Sequence, residues 1–338
     1  MVKQPLISII VPSYTMRRLG DIYELLRSVK DQTYPRIETV IVVERSMMLF
    51  NRLEEFAREN DDMRLKIVFN DGEPGASAAR NLGIKHARGE ILAFVDDDVV
   101  LFPDWAHEMV KTYTDGSIIG VTGLSYPLWG SSPADWLPEE LYWIISCTGW
   151  SRLEKVTDVR NIWLQNASFR REAFKSAGLI DLDLGPRDAV QGFKGKEFKD
   201  GIISEEIELS MRVRKATGKR IVCNPHVKIY HKVYDNRLKV DYIARWSYWT
   251  GFTKHKTKQL YPRYQTGLLS QENELLRRIL TGLIPDTLRR VHRHPFFVWR
   301  RLSVTFLALF FVAAGYCVHA FSPADAHRKL LIEQEGVE

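Results

Sequence analysis

Four short apolar runs punctuate the first hundred residues: Leu6–Val11, Thr39–Val43, Leu65–Phe69 and Ile91–Val95. Between them, Asp21–Asp31, Leu49–Glu59 and Ala76–His86 carry apolar residues at helical spacing. Runs of about five apolar residues without polar alternation read as strands buried on both faces, which is the pattern of a parallel sheet with crossover helices. The expected product is a nucleotide-binding α/β half-domain with every strand ending on one edge. From about 100 to 160 the pattern is less regular and rich in Trp, Pro and Gly, with a helix begun by Pro103 and Asp104 and a strand near Ile118–Gly123. A helix over Ile207–Ala216 and an apolar run Val227–Tyr230 follow. After Lys232 aromatic and basic residues mix without clear strands, and no repeat or low-complexity segment stands out.

One further run changes the picture. Leu302–Phe321 holds twenty residues without formal charge apart from His319, about the length that crosses a bilayer's hydrocarbon core. Arg289, Arg290, Arg293, Arg300 and Arg301 precede it, whereas His327, Arg328 and Lys329 mix with Asp325, Glu333 and Glu335 after it. By the positive-inside rule the first 300 residues stay in the cytoplasm, at the cell membrane. A helix lying in the membrane plane, or buried in a soluble protein, is the alternative. Leu6–Val11 is too short for a secretory signal. The net charge of +6 comes from basic residues concentrated after residue 211 rather than in an arm or recognition helix, which favours an anionic membrane surface over nucleic acid as partner. Cys147, Cys223 and Cys317 are too few and too scattered for a disulfide framework or metal cluster, as suits a reducing compartment.

The chemistry gathers where strands end. Asp96, Asp97 and Asp98 follow Ile91–Val95, at the edge where open α/β sheets bind ligands. Three clustered carboxylates need a cation, and Mg²⁺ or Mn²⁺ held by carboxylates and phosphate oxygens fits best; capping the next helix would need only one of them. Pro12-Ser13-Tyr14 closes the first run, with Pro12 expected to end the ladder and Tyr14 able to stack on a base. Glu44 ends the second run and suits ribose hydroxyls or a base N–H. Asp71-Gly72 follows the third, and Gly75–Asn81 offers small residues and Arg80, suited to a pyrophosphate or to pairing with Asp71 or Asp96.

The blocks PSY, AARNLGI and FVDDD resemble family 2 glycosyltransferases of the GT-A fold, a Rossmann-like, mostly parallel α/β architecture. QTYPRIETVIVVERS, LPEELYWI, NASFRREAF, EEIELSMRV and IYHKVYD further resemble archaeal members that extend dolichol-phosphate-linked glycans for protein N-glycosylation. The resemblance spans about residues 4 to 260. It implies an inverting, metal-dependent transfer from a nucleoside-diphosphate sugar, a UDP-sugar by expectation, to a lipid-linked saccharide. Pro12, Tyr14, Glu44 and Asp71 would border the nucleotide, and Arg80 its phosphates. Asp96 would lie towards the ribose with Asp97 beside it, and Asp98 would hold the metal together with Asp96 and His231. Glu206 would be the base that takes the acceptor's proton, with Glu205 its competitor for that role.

Two departures stand out. Glu44-Arg45-Ser46 replaces an aspartate pair, and Trp163–Ser168 lacks the Gly of the usual acceptor loop. Asn166-Ala167-Ser168 matches a glycosylation sequon that a cytoplasmic domain would never present to its transferase. Trp129, Trp136, Trp143, Trp150 and Trp163 read either as a sugar platform or as core.

The expected organisation is a catalytic domain over 1–235, divided at 100 into nucleotide and acceptor halves. A basic helical region follows over 236–300, then a membrane helix over 301–322 and a tail over 323–338. A polyprenyl-phosphate sugar synthase, a phosphohydrolase and a non-catalytic nucleotide-sugar-binding protein are the competing readings; Val100 stands where a phosphohydrolase wants threonine. The sugar donated, a hexose or a hexuronic acid, is not encoded in any motif.

Overall fold

The computed structural model describes residues 4–182, 205–260 and 269–320, apart from the side chains of residues 150, 259, 260 and 319. These residues fall into two compact units, one of 4–128, 146–182 and 205–233, the other of 129–145 with 234–260 and 269–320.

The first unit opens with β1 (Ile7–Ser13), α1 (Leu19–Lys30), β2 (Ile37–Glu44), α2 (Met47–Glu59), β3 (Leu65–Asn70), α3 (Ala76–His86) and β4 (Ile91–Val95). It continues through β5 (Val99–Leu101), α4 (Trp105–Thr112), β6 (Ile118–Trp129), β7 (Thr157–Asp158), β8 (Asn166–Arg170), α5 (Glu172–Ala177), α6 (Glu205–Thr217) and β9 (Arg220–Val233). The strands form one sheet in the order β3-β2-β1-β4-β8-β6-β9-β5, with β7 paired to β9. β3, β2, β1 and β4 are parallel, and β8 runs antiparallel to both β4 and β6.

Alternation along each strand sends side chains to opposite faces, and both faces are covered. Ile7, Ile9, Val11, Ile41 and Val43 pack with Ile22, Leu25 and Leu26 of α1 and with Leu49 and Leu53 of α2. Ile10, Val40, Val42 and Phe94 pack on the other face with Ala79 and Ile84 of α3. That double cover is why the first three strands read as apolar runs.

Three details of the first unit depart from the sequence expectation. Pro12 does not end the ladder: on the β2 side it pairs with Val42, and Ser13 with Val43. The β4 side of β1 stops at Ile10 opposite Phe94, so the donor that proline lacks is tolerated there. β6 runs on through Gly123 and Pro127 to Trp129, because Gly123 lets two backbones meet; a Cβ there would lie 1.8 Å from the Val227 carbonyl oxygen. Asn166-Ala167-Ser168 lies not in a loop but in β8, with Asn166 fully buried. Its amide accepts from Trp105 Nε1 at 2.8 Å and donates to the Leu124 and Val227 carbonyls at 3.1 Å each, so the sequon is a structural hub.

The second unit contains α7 (Val240–Leu260), α8 (Ser270–Arg278), a π-helical turn Ile279–Leu283, α9 (Ile284–Leu288) and α10 (Pro295–Ala320). Among the described residues one helix, Pro295–Val318, is long and apolar enough to cross a membrane, with mean hydropathy 1.8. It begins before the expected Leu302, because Pro295 starts a helix readily and Phe296-Phe297 extend the apolar run. α7 and α10 touch backbone to backbone through glycines. A Cβ on Gly251 would lie 2.0 Å from the Val312 carbonyl oxygen, and one on Gly315 would lie 1.9 Å from that of Tyr248. Near the start of α10, Arg301 donates to the Asp135 carbonyl at 3.0 Å and Arg300 lies 4.4 Å from the Trp136 ring centroid.

Candidate active site

Parallel order alone brings the ends of β1, β2, β3 and β4 to one edge. Asp96, Asp97 and Asp98 fill the turn from β4 to β5, and β5 pairs antiparallel with β9 so that Val99 faces His231. This pairing draws a histidine 133 positions away in sequence onto the aspartates, with the Lys232 N–H donating to the Asp98 carbonyl at 2.9 Å. His231 Nε2 lies 3.4 Å from Asp98 Oδ1, and Asp96, Asp98 and His231 each offer a ligand atom within 4.8 Å of the others. Two carboxylates and one imidazole at that separation form a donor set that a divalent cation would fill.

Cationic side chains already answer part of this charge. Arg80, buried on α3, lies 3.0 Å from Asp96 Oδ1 and 3.5 Å from Glu205 Oε1. Arg18 lies 3.1 Å from Asp98 Oδ2 and 3.8 Å from Asp97 Oδ1. Ser13, the last residue of β1, donates to Asp97 Oδ2 at 2.6 Å. Even so, burial and then the Asp98 charge push the Asp97 carboxyl up to about 7, against the pull of Ser13 and Arg18.

The two glutamates at the start of α6 separate. Glu205 turns to Arg80, whereas Glu206 Oε1 accepts from the Leu164 N–H at 2.8 Å. Burial raises the Glu205 carboxyl despite Arg80 beside it. Burial, then the charge of Glu205, pushes Glu206 up to about 7. A carboxylate whose proton affinity matches neutral pH is suited to accept a proton from a hydroxyl.

Where β2 and β3 end, Glu44 Oε2 accepts from the Gly75 N–H at the start of α3 at 2.6 Å. Its other oxygen, Oε1, is buried without a hydrogen-bond partner, so it is available to a ligand donor. Tyr14 is exposed at the end of β1 and Pro12 is half-buried beside it. Asp71 is exposed in the turn after β3 and shares the edge without a contact to the aspartate cluster. Of the tryptophans, Trp129 packs edge-on against Tyr142, and Trp136 lies under Arg300.

Sequence reasoning did not single out Arg18 or Ser13. Ser13 sat inside a quoted motif, while Arg18 was hidden in the irregular link to α1; its signal was the pair Arg17-Arg18 directly after a strand end.

A sequence profile described as glycosyl transferase family 2 matches residues 8–178, about half of the chain. The chain belongs to glycosyltransferase family 2. This glycosyltransferase has the GT-A fold, as the resemblance implied. It is 28% identical over 319 residues to the glucosyl-dolichyl phosphate glucuronosyltransferase of Haloferax volcanii, spanning 94% of this chain and 97% of the relative. It is also 32% identical over 134 residues to glycosyltransferase AglE of the same organism, covering 38% of this chain and 43% of that one. Among solved structures it is similar to the Pyrobaculum calidifontis mannosyltransferase PcManGT in complex with GDP-Man and Mn²⁺, with a TM-score of 0.58 and 16% identity over 94% of this chain and 88% of that one. GalNAc-T7 with UDP, GalNAc and Mn²⁺ gives a TM-score of 0.53 at 15% identity, over 81% and 54% of the two chains.

Proposed function

We propose that this glycosyltransferase moves a sugar, with inversion, from a nucleoside-diphosphate sugar to a hydroxyl of a lipid-linked saccharide in glycan assembly for protein glycosylation. The observation that carries the reading is Glu206, poised near neutrality on the strand edge that also holds the Asp96, Asp98 and His231 donor set. The Haloferax relative, similar along nearly its whole length, supports glucuronic acid as the sugar moved and a glucosylated dolichyl phosphate as acceptor; a uridine nucleotide on the donor is part of the proposal.

Asp96, Asp98 and His231 would hold Mn²⁺ or Mg²⁺, and Mn²⁺ suits a set that mixes imidazole with carboxylates. Bound there, the ion supplies charge neutralisation for the departing diphosphate. Glu44 and Tyr14 hold the nucleoside, with Pro12 and Asp71 bordering it. Arg80 presents its guanidinium to the phosphates from a site that Asp96 and Glu205 fix. Glu206, oriented by the Leu164 N–H, takes the acceptor hydroxyl's proton as the oxygen attacks the anomeric carbon from the face opposite the leaving group.

The catalytic domain is assigned to 1–235, the basic helical region to 236–300, the membrane helix to 301–322 and the tail to 323–338. Attachment through α10 with Arg289, Arg290, Arg293, Arg300 and Arg301 on the cytoplasmic side would keep catalysis at the surface where a long lipid acceptor lies.

The test is release of nucleoside diphosphate from a panel of nucleotide sugars with membrane-extracted lipid acceptor and Mn²⁺. Turnover of one donor that depends on the acceptor and is lost in Asp98→Ala and Glu206→Gln supports the reading. An active Glu206→Gln beside a dead Asp98→Ala overturns the base assignment and favours a phosphate acceptor. Donor binding without turnover favours a binding protein.

A further inference from the structure

Asp98 is the most enclosed of the three aspartates, with its side chain 3% exposed. Both of its oxygens face cationic or ligating partners, Oδ2 towards Arg18 at 3.1 Å and Oδ1 towards His231 at 3.4 Å. Arg18 closes a single helical turn, Met16–Arg18, between β1 and α1. Its guanidinium has a second anionic dock, Asp21 Oδ2 at 3.2 Å, one turn further along the chain. The other oxygen of Asp21 is held by Lys232 at 2.8 Å, which fixes that dock in place. Arg18 therefore stands between two carboxylates, one of them in the metal donor set, and its side chain is 20% exposed and has room to turn.

We propose that Arg18 is a tethered cation that competes with the divalent ion for Asp98, yields that carboxylate when the ion and a diphosphate arrive together, and then turns to the diphosphate. This rests on the reading of Asp96, Asp98 and His231 as a metal site. A guanidinium about 3 Å from one carboxylate oxygen and a divalent ion on the same carboxylate repel each other strongly in a buried setting. A diphosphate relieves that repulsion, because its planar match to the guanidinium offers Arg18 a bidentate partner of opposite charge. The ion and the nucleotide then bind cooperatively, and by linkage each strengthens the other by the same factor. Arg18 is in this sense a positioning residue: it sets the order in which the site is filled and takes no part in bond making.

The experiment measures Mn²⁺ binding to the full chain by the loss of the free-ion electron paramagnetic resonance signal, with and without UDP or GDP. Arg18→Gln is expected to bind Mn²⁺ alone about tenfold more tightly than wild type. At saturating Mn²⁺ its affinity for the nucleoside diphosphate falls by a similar factor, so the coupling shrinks. Arg18→Lys keeps the charge and restores much of the wild-type behaviour. Asp21→Asn removes the alternative dock and weakens Mn²⁺ binding in the absence of nucleotide, which serves as a second test should Arg18→Gln fail to fold. Unchanged or weaker Mn²⁺ binding in a folded Arg18→Gln overturns the proposal, provided Asp98→Asn has lost the ion. If Asp98→Asn binds Mn²⁺ as wild type does, the metal-site reading fails, and the role of Arg18 falls with it.

Discussion

Glu38 and Glu206 are both carboxylates enclosed by the same sheet unit, and they end in opposite conditions. Glu38, near the start of β2, is 3% exposed. Burial alone would raise it, but the Ser8 hydroxyl at 2.6 Å, the Arg88 N–H at 2.6 Å and the Arg88 guanidinium at 2.9 Å outweigh burial and hold it below its ordinary value. Glu206, near the strand ends, has the Leu164 N–H and the charge of Arg80 set against burial and the charge of Glu205 beside it, and burial wins: it rises to about 7. The N-terminal edge spends its polar groups on a carboxylate that never needs to change state. The C-terminal edge leaves Asp97, Glu205 and Glu206 under-compensated against burial, which weakens the fold locally and is the condition expected of carboxylates that exchange a proton.

Exchanging the carboxylates for amides breaks this comparison at either end. The largest effect is expected for Glu206→Gln: kcat falls by about 10²- to 10⁴-fold while the nucleotide still binds, as single-turnover and binding measurements would show. If Glu206 is the base, wild-type kcat/KM is expected to climb with pH through about 7, because a base works only when deprotonated, and the variant's residual activity is expected to lose that limb. Next comes Arg80→Lys, whose point charge cannot span Asp96 and Glu205 as the guanidinium does; about a 10- to 100-fold loss in kcat/KM for the nucleotide sugar is expected. A variant with unaltered kinetics would remove Arg80 from the phosphate site.

Glu38→Gln lies at the other end of the sheet. It is expected to cost about 1–3 kcal/mol in denaturant unfolding and to leave the folded enzyme's kcat unchanged. The sign with pH follows from the lowered value: stability from Glu38 is present above its unfolded pKa and lost as pH falls through the folded one, so wild type and variant converge in acid. The sharpest of the tests reads a slope rather than a size, the reverse slope at Glu206. A raised folded pKa gives stability that is full below about 4.3 and lost as pH rises through about 7. Glu206→Gln should therefore melt above wild type at pH 8 and match it at pH 4; equal melting at both would mean that the two edges do not differ as described.

The parallel half of the sheet was legible because each of its strands is apolar on both faces, and that periodicity survives any tertiary detail. β8 and the C-terminal part of β6 were not legible, since Asn166, Gly123 and Pro127 each signal a break locally and are overruled by contacts with distant backbone. In the site, the aspartates announced themselves by clustering. Bringing His231 to them requires the β5–β9 ladder, which the apolar run Val227–Tyr230 only hints at. The resemblance carried His231, Glu205 and Glu206 forward where periodicity could not. Arg18 escaped both, because a lone guanidinium becomes informative only once the carboxylate it faces is known.

The glycine contact between α7 and α10 bears on how the enzyme can be handled. At Gly251 and Gly315 the two backbones meet with no side chain between them, so α10 is half of a helix pair and cannot be treated as a detachable tail. Trimming the chain before Pro295 to obtain a detergent-free sample would uncover the α7 backbone from Tyr248 to Phe252. A bulky residue at either glycine would pry the pair apart while leaving the apolar segment uncharged. Preparations that keep the full chain in detergent or lipid are the ones expected to stay monodisperse.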